Sequence, residues 1–208
     1  MNITEKFSLH DLVSLLLPSS LVVYCVTSLP CCTRMKFLDT FSSNTLTASL
    51  QVLLLIAILL LIGLTLKSIA SLFFRNRLTG NYMISYAWKE YRDSPVCKSK
   101  QEDVAMTASE YNTRYYYARQ NAYCEHIEIL ESHVSFLTTW AVASAISLIP
   151  AIVSCCCCCC SCCCCTICLL AIGILVAIVL AFALQHKIIK LVFEDYDYLK
   201  SKSNDKQI

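Results

Sequence analysis

The sequence predicts an all-α fold, a polytopic membrane protein with four transmembrane helices and a helical cytoplasmic region between spans two and three. The strongest observation is residues 136–184, where 49 consecutive positions hold no Lys, Arg, Asp, Glu or His. A membrane-spanning helix needs about 20 apolar residues, so this stretch has room for two spans and a tight connection. The 208 residues are 57% hydrophobic and 15% charged, which is typical of a multi-pass membrane protein and apolar for a soluble domain.

The first two spans are predicted at residues 9–29 and 45–72, within a first segment of residues 1–74. Pro18 removes a backbone donor from the first span and predicts a kink. A kinked, packed helix is the favoured interpretation, and a broken helix that lines a pathway, as in some transporters, is the alternative. The second span, with the core VLLLIAILLLIGLTL, has the strongest apolar signal in the chain.

The sizeable polar part of the chain, residues 75–135, is predicted to be a cytoplasmic helical region. Residues 81–102 are predicted to form a short helix and a loop. From Asp103 onwards, apolar positions recur at three-, four- and seven-residue steps, which indicates an amphipathic helix. Because no Gly or Pro follows Asp103 before Pro150, this helix is predicted to continue into the third span as a stalk.

The third and fourth spans are predicted at residues 134–154 and 163–184, as a hairpin within residues 136–186 whose outer turn is rich in cysteine. Pro150 near the end of the third span predicts a second kink. The remaining residues, 187–208, are predicted to be a cytoplasmic tail. This tail begins as an amphipathic helix and ends as a disordered terminus.

The distribution of Lys and Arg predicts the orientation in the membrane. Eight lie between spans two and three and five follow the fourth span, whereas two lie between spans one and two and none between spans three and four. Basic residues concentrate on the cytoplasmic side, so both termini are predicted to be cytoplasmic. The net charge of +2 gives no reason to expect nucleic acid as a direct partner, and the lipid bilayer is the expected one.

Sixteen cysteines stand out in the composition, and the predicted topology leaves only Cys97 and Cys124 in the cytoplasm. The favoured interpretation is apolar filler in a low-complexity tract. A disulfide between the two outer connections is the second, and metal capture or lipidation is the third. An unbroken run specifies no spaced pair of zinc ligands, so neither a metal site nor a cofactor is predicted. The cysteines considered for a disulfide are Cys31, Cys32, Cys155, Cys156, Cys157, Cys158, Cys159 and Cys160.

One pair of polar residues is a catalytic candidate. In RQNAYCEH, six residues separate Arg119 from His126, and seven steps along a helix return both side chains to about one face. The spacing resembles the Arg and His signature of HEPN-type ribonucleases, in which the two residues meet across a dimer. Ordinary polar positions on a cytoplasmic helix are the favoured interpretation, and the chain is not predicted to be an enzyme.

A cluster of tyrosines occupies the same predicted helix. A packing face for helix pairing is the favoured interpretation. The alternative, stacking on a nucleotide or nucleic acid, requires nearby basic residues, and Arg114 and Arg119 are few for that purpose. The members of the cluster are Tyr111, Tyr115, Tyr116, Tyr117 and Tyr123.

The general layout resembles a known group of bacterial proteins. The order DLVSLLLPSSLVV, an apolar second span, YYYARQN, then IEILESHVSFL before a final hairpin is similar to small four-span membrane proteins of phage-defence loci. Those include the membrane accessory proteins of type VI-B CRISPR loci and the membrane subunit of the Kiwa defence system. The cysteine run departs from the pattern of either group. The resemblance implies an oligomeric sensor or effector of antiviral defence in the bacterial inner membrane.

Three functions therefore remain as hypotheses. The first is a homo-oligomeric membrane protein that acts as a pore, sensor or effector in antiviral defence. The second is a membrane-tethered ribonuclease that uses Arg119 and His126. The third is a membrane scaffold that recruits a soluble partner, such as a defence effector, through residues 75–135.

Overall fold

The structure, a computed structural model, describes residues 9–27, 48–78, 80–94, 106–121, 125–158 and 161–205. These parts of the chain are helical and hold no strand, so the all-α prediction is confirmed for them. The six helices are α1 (Leu9–Thr27), α2 (Ala48–Leu78), α3 (Asn81–Arg92), α4 (Ala108–Asn121), α5 (Glu125–Cys158) and α6 (Ser161–Asp205).

Three of these helices are long and apolar enough to cross a membrane. Their apolar segments are Leu50–Phe74 in α2, His126–Cys156 in α5 and Cys164–Lys202 in α6. They overlap the second, third and fourth predicted spans, and the last two extend beyond the predicted bounds, to His126 at the start of one and to Lys202 at the end of the other. The first predicted span corresponds to α1, whose apolar segment Leu12–Thr27 is shorter. Both α1 and α5 continue as α-helices through their prolines, Pro18 and Pro150.

The chain divides into two compact units. The first unit comprises Met1–Ser71 and Ser135–Val179, and the second comprises Leu72–Val134 and Leu180–Ile208. The second unit therefore combines the polar middle of the sequence with its C-terminal part. In the chain, these two stretches are separated by the predicted hairpin of the third and fourth spans. We call it the helical unit below.

In the first unit, α1 and α2 approach closely at a single glycine. A Cβ atom added to Gly63 would lie 2.6 Å from the carbonyl oxygen of Leu15 and 2.9 Å from Ser19 Oγ. The Ser19 hydroxyl donates to that same carbonyl at 2.5 Å, so it satisfies its own polar group within the helix. Small residues that allow backbones to meet are a common basis of helix association in membranes.

The buried face of α5 in the first unit is also composed of small residues. Alanines alternate there with side chains that carry a hydroxyl, and long aliphatic residues are rare among the most buried positions. Such a face permits close packing of neighbouring helices, because little side-chain volume stands between the backbones. Its members include Thr138, Thr139, Ala141, Ala143, Ser144, Ser147 and Ala151.

In the helical unit, the C-terminal part of α6 supplies the centre of the core. Ile188, Ile189, Val192 and Phe193 are almost completely buried there. The sequence predicts that helix in this segment gives way to a disordered end, but α6 continues to Asp205. The apolar side chains repeat at one- and four-residue steps, so they form one helical face, and burial of that face stabilises the segment.

The chain reverses direction between α4 and α5, so the prediction of one continuous stalk helix is wrong. Tyr115 on α4 donates a hydrogen bond of 2.7 Å from its hydroxyl to Glu131 on α5. In one straight helix those residues, 16 apart, would be separated by about 24 Å along the axis. The apolar pattern does not reveal this turn because neither Gly nor Pro marks it.

Candidate functional site in the helical unit

Aromatic rings from three helices form the inner layer of the helical unit. Trp88 on α3 and Tyr111 on α4 both pack edge-on against Phe193 of α6, with ring centroids 5.1 Å and 5.9 Å away. The guanidinium carbon of Arg114 lies 4.9 Å from the ring centroid of Trp88 and 4.9 Å from that of Tyr196. A cation between two aromatic faces adds electrostatic attraction to the packing, and it ties α4 to α3 and α6.

Next to this core, one carboxylate on α3 faces two basic side chains on α6. Glu90 Oε1 accepts a hydrogen bond of 2.7 Å from Lys190 Nζ. His186 Nε2 lies 3.2 Å from the other carboxylate oxygen of Glu90, but the two groups are not aligned for a hydrogen bond. This contact is an ion pair when the imidazole is protonated. The hydrogen bond from Lys190 holds the pKa of Glu90 below its ordinary value.

A second polar network joins α4 to α5. Tyr115 donates to Glu131, and its hydroxyl oxygen accepts a hydrogen bond of 2.9 Å from Arg119 Nη1. Arg119 Nη2 lies 3.3 Å from Glu128 Oε1. Burial, reinforced by the hydrogen bond to Glu131, raises the pKa of Tyr115 to about 12. The neighbouring Tyr115 hydroxyl and the carboxylates raise the pKa of Arg119, so Tyr115 and Arg119 keep their protons at neutral pH.

The two residues of the catalytic hypothesis lie on different helices. Arg119 on α4 contacts Tyr115 and Glu128. His126 lies on α5, and its Nε2 atom is 3.5 Å from Asp195 Oδ2 on α6. The premise that both side chains share one face of one helix is therefore wrong. The reason is the reversal between α4 and α5, which the sequence spacing does not reveal. Each residue faces a carboxylate of its own.

The concave surface nearest to this network is shallow. It is lined by Tyr115, Arg119, Ile127 and Glu128 and encloses no space for a water molecule. This is a surface depression, unlike the enclosed clefts that usually hold small ligands. Among the described residues, no three His, Cys, Asp or Glu side chains come together as a metal site would require.

The tyrosine cluster is divided between the core and the surface. Tyr111 is buried against Phe193, and Tyr117 packs edge-on against Tyr196 with ring centroids 5.4 Å apart. Tyr116 is 61% exposed. These contacts follow the packing interpretation for most of the cluster. Tyr123 lies outside the described residues.

The cysteines considered for a disulfide are described only in part. Cys31 and Cys32 lie outside the described residues, as do the side chains of residues 157–163. Of the rest, Cys155 on α5 contacts Cys164 on α6, a residue outside the predicted set, with the sulfur atoms 3.8 Å apart. The predicted pairing between the two outer connections stays a prediction.

The cluster of Glu90, His186 and Lys190 is not predicted by any pattern in the sequence. About 100 residues separate its two halves, and no local motif links a carboxylate on one amphipathic helix to basic residues beyond a transmembrane segment. The basic residues at positions 186, 187 and 190 indicate only a membrane interface. Comparison of the chain with protein-family models, with curated proteins and with solved structures gives no match.

Proposed function

We propose that this chain is a multi-pass integral membrane protein whose helical unit lies on the cytoplasmic side of a bacterial inner membrane. The observation that carries this proposal is the set of three long apolar helices, whose surfaces are largely uncovered in the single chain. Leu61, Leu169 and Leu175, for example, are each 66–69% exposed. Exposed apolar area on this scale is unfavourable in water, at roughly 25 cal/mol per Å², and favourable in lipid.

The crossing of α1 and α2 supports α1 as a fourth span. Gly63 lies near the middle of the Leu50–Phe74 segment, and its contacts at Leu15 and Ser19 lie near the middle of α1. Two spans joined as a hairpin meet in this way, because their midpoints share one depth in the bilayer. The 19 residues of α1 extend about 28 Å, close to the thickness of the hydrocarbon core.

The composition of the helical unit supports the predicted orientation. Residues before α5 and residues at the end of α6 pack into one core, as the contact of Trp88 with Phe193 demonstrates. Two segments that touch must lie on the same side of a membrane. The chain between them therefore crosses an even number of times, as the α5 and α6 hairpin does, and the excess of Lys and Arg assigns that side to the cytoplasm.

Within this class we favour a homo-oligomeric sensor or effector, and its resemblance to proteins of phage-defence loci makes antiviral defence the setting to test. Residues 136–184 carry no ionisable group apart from cysteine thiols, so a proton relay of carboxylates and histidines is not available there. Four helices in one chain leave no room for a wide channel, so a pore would require several copies. A soluble partner would bind the helical unit.

The ribonuclease hypothesis has less support. General acid–base chemistry on a phosphodiester needs side chains within hydrogen-bond reach of one substrate. Arg119 and His126 lie on separate helices and face separate carboxylates, Glu128 and Asp195. The concave surface beside Arg119 is a shallow depression.

Reconstitution in native nanodiscs tests the proposed role. Mass photometry measures the copy number, and an ion-flux assay in liposomes of the same preparation measures permeability. A defined oligomer that conducts ions supports the pore form of the effector, and a defined oligomer that stays tight supports a sensor. A monomer in nanodiscs and in mild detergent contradicts the proposal of a homo-oligomer.

A further inference from the structure

Two cysteines face each other where α5 and α6 meet. The Sγ atoms of Cys155 and Cys164 lie 3.8 Å apart, and neither residue is in a disulfide. Cys155 is partly exposed and Cys164 is exposed at the surface of the chain. A disulfide joins two sulfur atoms at about 2.05 Å, so the two sulfur atoms have to move closer before they can bond.

The register of the two helices brings Cys155 and Cys164 together. Helix α5 ends at Cys158 and α6 begins at Ser161, so Cys155 and Cys164 each lie three residues from the connection. In an antiparallel pair these positions are at one height. Each further residue turns a helical side chain by about 100°, so Cys156 and Cys165 lie on other faces of their helices than Cys155 and Cys164.

We propose that Cys155 and Cys164 form a dithiol site that exchanges with small or protein disulfides and closes as an intramolecular disulfide across the α5 and α6 hairpin. The Cys155 thiolate attacks the donor disulfide, forms a mixed disulfide and releases one donor thiol. The Cys164 thiolate then attacks the sulfur of Cys155 and releases the second donor thiol. Two cysteine thiols are oxidised, the donor is reduced to two thiols, and the two protons end on those thiols.

The pairing itself does not depend on the topology proposed above, but its formation in the cell does, because the non-cytoplasmic side is the oxidising one. The test therefore uses purified full-length protein and oxidised glutathione as the donor. One variant keeps only Cys155 and Cys164, and a matched variant keeps only Cys156 and Cys165, with the other cysteines replaced by Ala. After oxidation, the protein is denatured, alkylated with N-ethylmaleimide and weighed as an intact chain.

The proposal predicts a monomer without alkyl adducts for the variant that keeps Cys155 and Cys164. The matched variant should carry two alkyl or glutathione adducts. Reduction before alkylation should give two adducts in both variants, which verifies that all the thiols are present and reachable. Equal adduct numbers in the two oxidised variants would overturn the proposal.

Two single substitutions in the otherwise native chain give an independent readout. In Cys164→Ala the partner Cys155 loses its disulfide, so the oxidised protein should gain one alkyl adduct relative to wild type. In Cys165→Ala an unprotected thiol is removed, so it should lose one adduct. A loss of one adduct in Cys164→Ala as well would also overturn the proposal.

Discussion

Phe193 packs edge-on against Trp88, with ring centroids 5.1 Å apart, although Trp88 lies before α5 in the chain and Phe193 lies in the C-terminal part of α6. This contact means that the polar middle of the sequence and the end of the last helix fold as one unit. Any membrane topology of the chain must satisfy that constraint, because residues in contact cannot lie on opposite sides of a bilayer.

Phe193→Ala should destabilise the helical unit by about 3–5 kcal/mol, because it leaves a cavity among Trp88, Tyr91 and Tyr111. Unfolding is followed by the fluorescence of Trp88 in a Trp140→Phe background. Tyr198→Ala on the same helix is the control, since Tyr198 is exposed, and it should change the midpoint little. Equal losses in the two variants would contradict the assigned core.

Gly63→Ala should destabilise the packing of α1 on α2 by about 1–3 kcal/mol, because the added Cβ meets the backbone oxygen of Leu15 at 2.6 Å. The matched control is Gly173→Ala in α6, where the nearest atom to a Cβ is Trp140 Nε1 at 4.0 Å. The measurement is the thermal midpoint of each variant in detergent. A Gly63→Ala midpoint equal to that of Gly173→Ala would refute the close crossing.

The ion pair of Glu90 predicts an acid-dependent loss of stability. The hydrogen bond from Lys190 lowers the folded pKa of Glu90 below 4.5, so its contribution is present above that value and is lost as the pH falls through the folded pKa. Wild type should therefore melt higher than Glu90→Gln at pH 7, and the difference should shrink below pH 4.5. Lys89→Gln, an exposed charge change on the same helix, should keep the wild-type pH dependence.

Tyr115 predicts an alkaline transition. Its folded pKa is raised to about 12 from 10.0, so its contribution is complete below pH 10 and is lost as the pH rises through about 12. Tyr115→Phe should cost about 1–3 kcal/mol, because the carboxylate of Glu131 loses a donor, and should flatten the fall in stability above pH 10. Tyr116→Phe, at an exposed ring, is the control. An unchanged alkaline profile in Tyr115→Phe would count against this network.

The helices themselves could be predicted from the sequence because their signals are local. An apolar run as long as Leu50–Phe74 has few alternatives to a helix that is removed from water. Local signals also predict a short helix within residues 81–102, and the structure has α3, Asn81–Arg92, in this place.

The turn between α4 and α5 could not be predicted from the sequence, because no residue between Asn121 and Glu125 has a strong preference for a turn. The same reversal places Arg119 and His126 on different helices. Their sequence spacing would bring both side chains to one face only within a single helix. The contacts of Glu90 with His186 and Lys190 depend on tertiary packing. The contact of Cys155 with Cys164 also depends on tertiary packing, namely on the register of α5 against α6.

The central claim is that four helices cross the membrane and leave both termini and the helical unit on the cytoplasmic side. Single cysteines in a cysteine-free background, labelled in intact cells with a membrane-impermeant maleimide, test it most directly at Asn2→Cys, Ser42→Cys, the native Cys97 and Ser203→Cys. The account predicts that only the cysteine at position 42 reacts in intact cells and that the other three react after permeabilisation. Labelling of position 97 or 203 in intact cells would contradict it, and labelling of position 2 would show that α1 does not span.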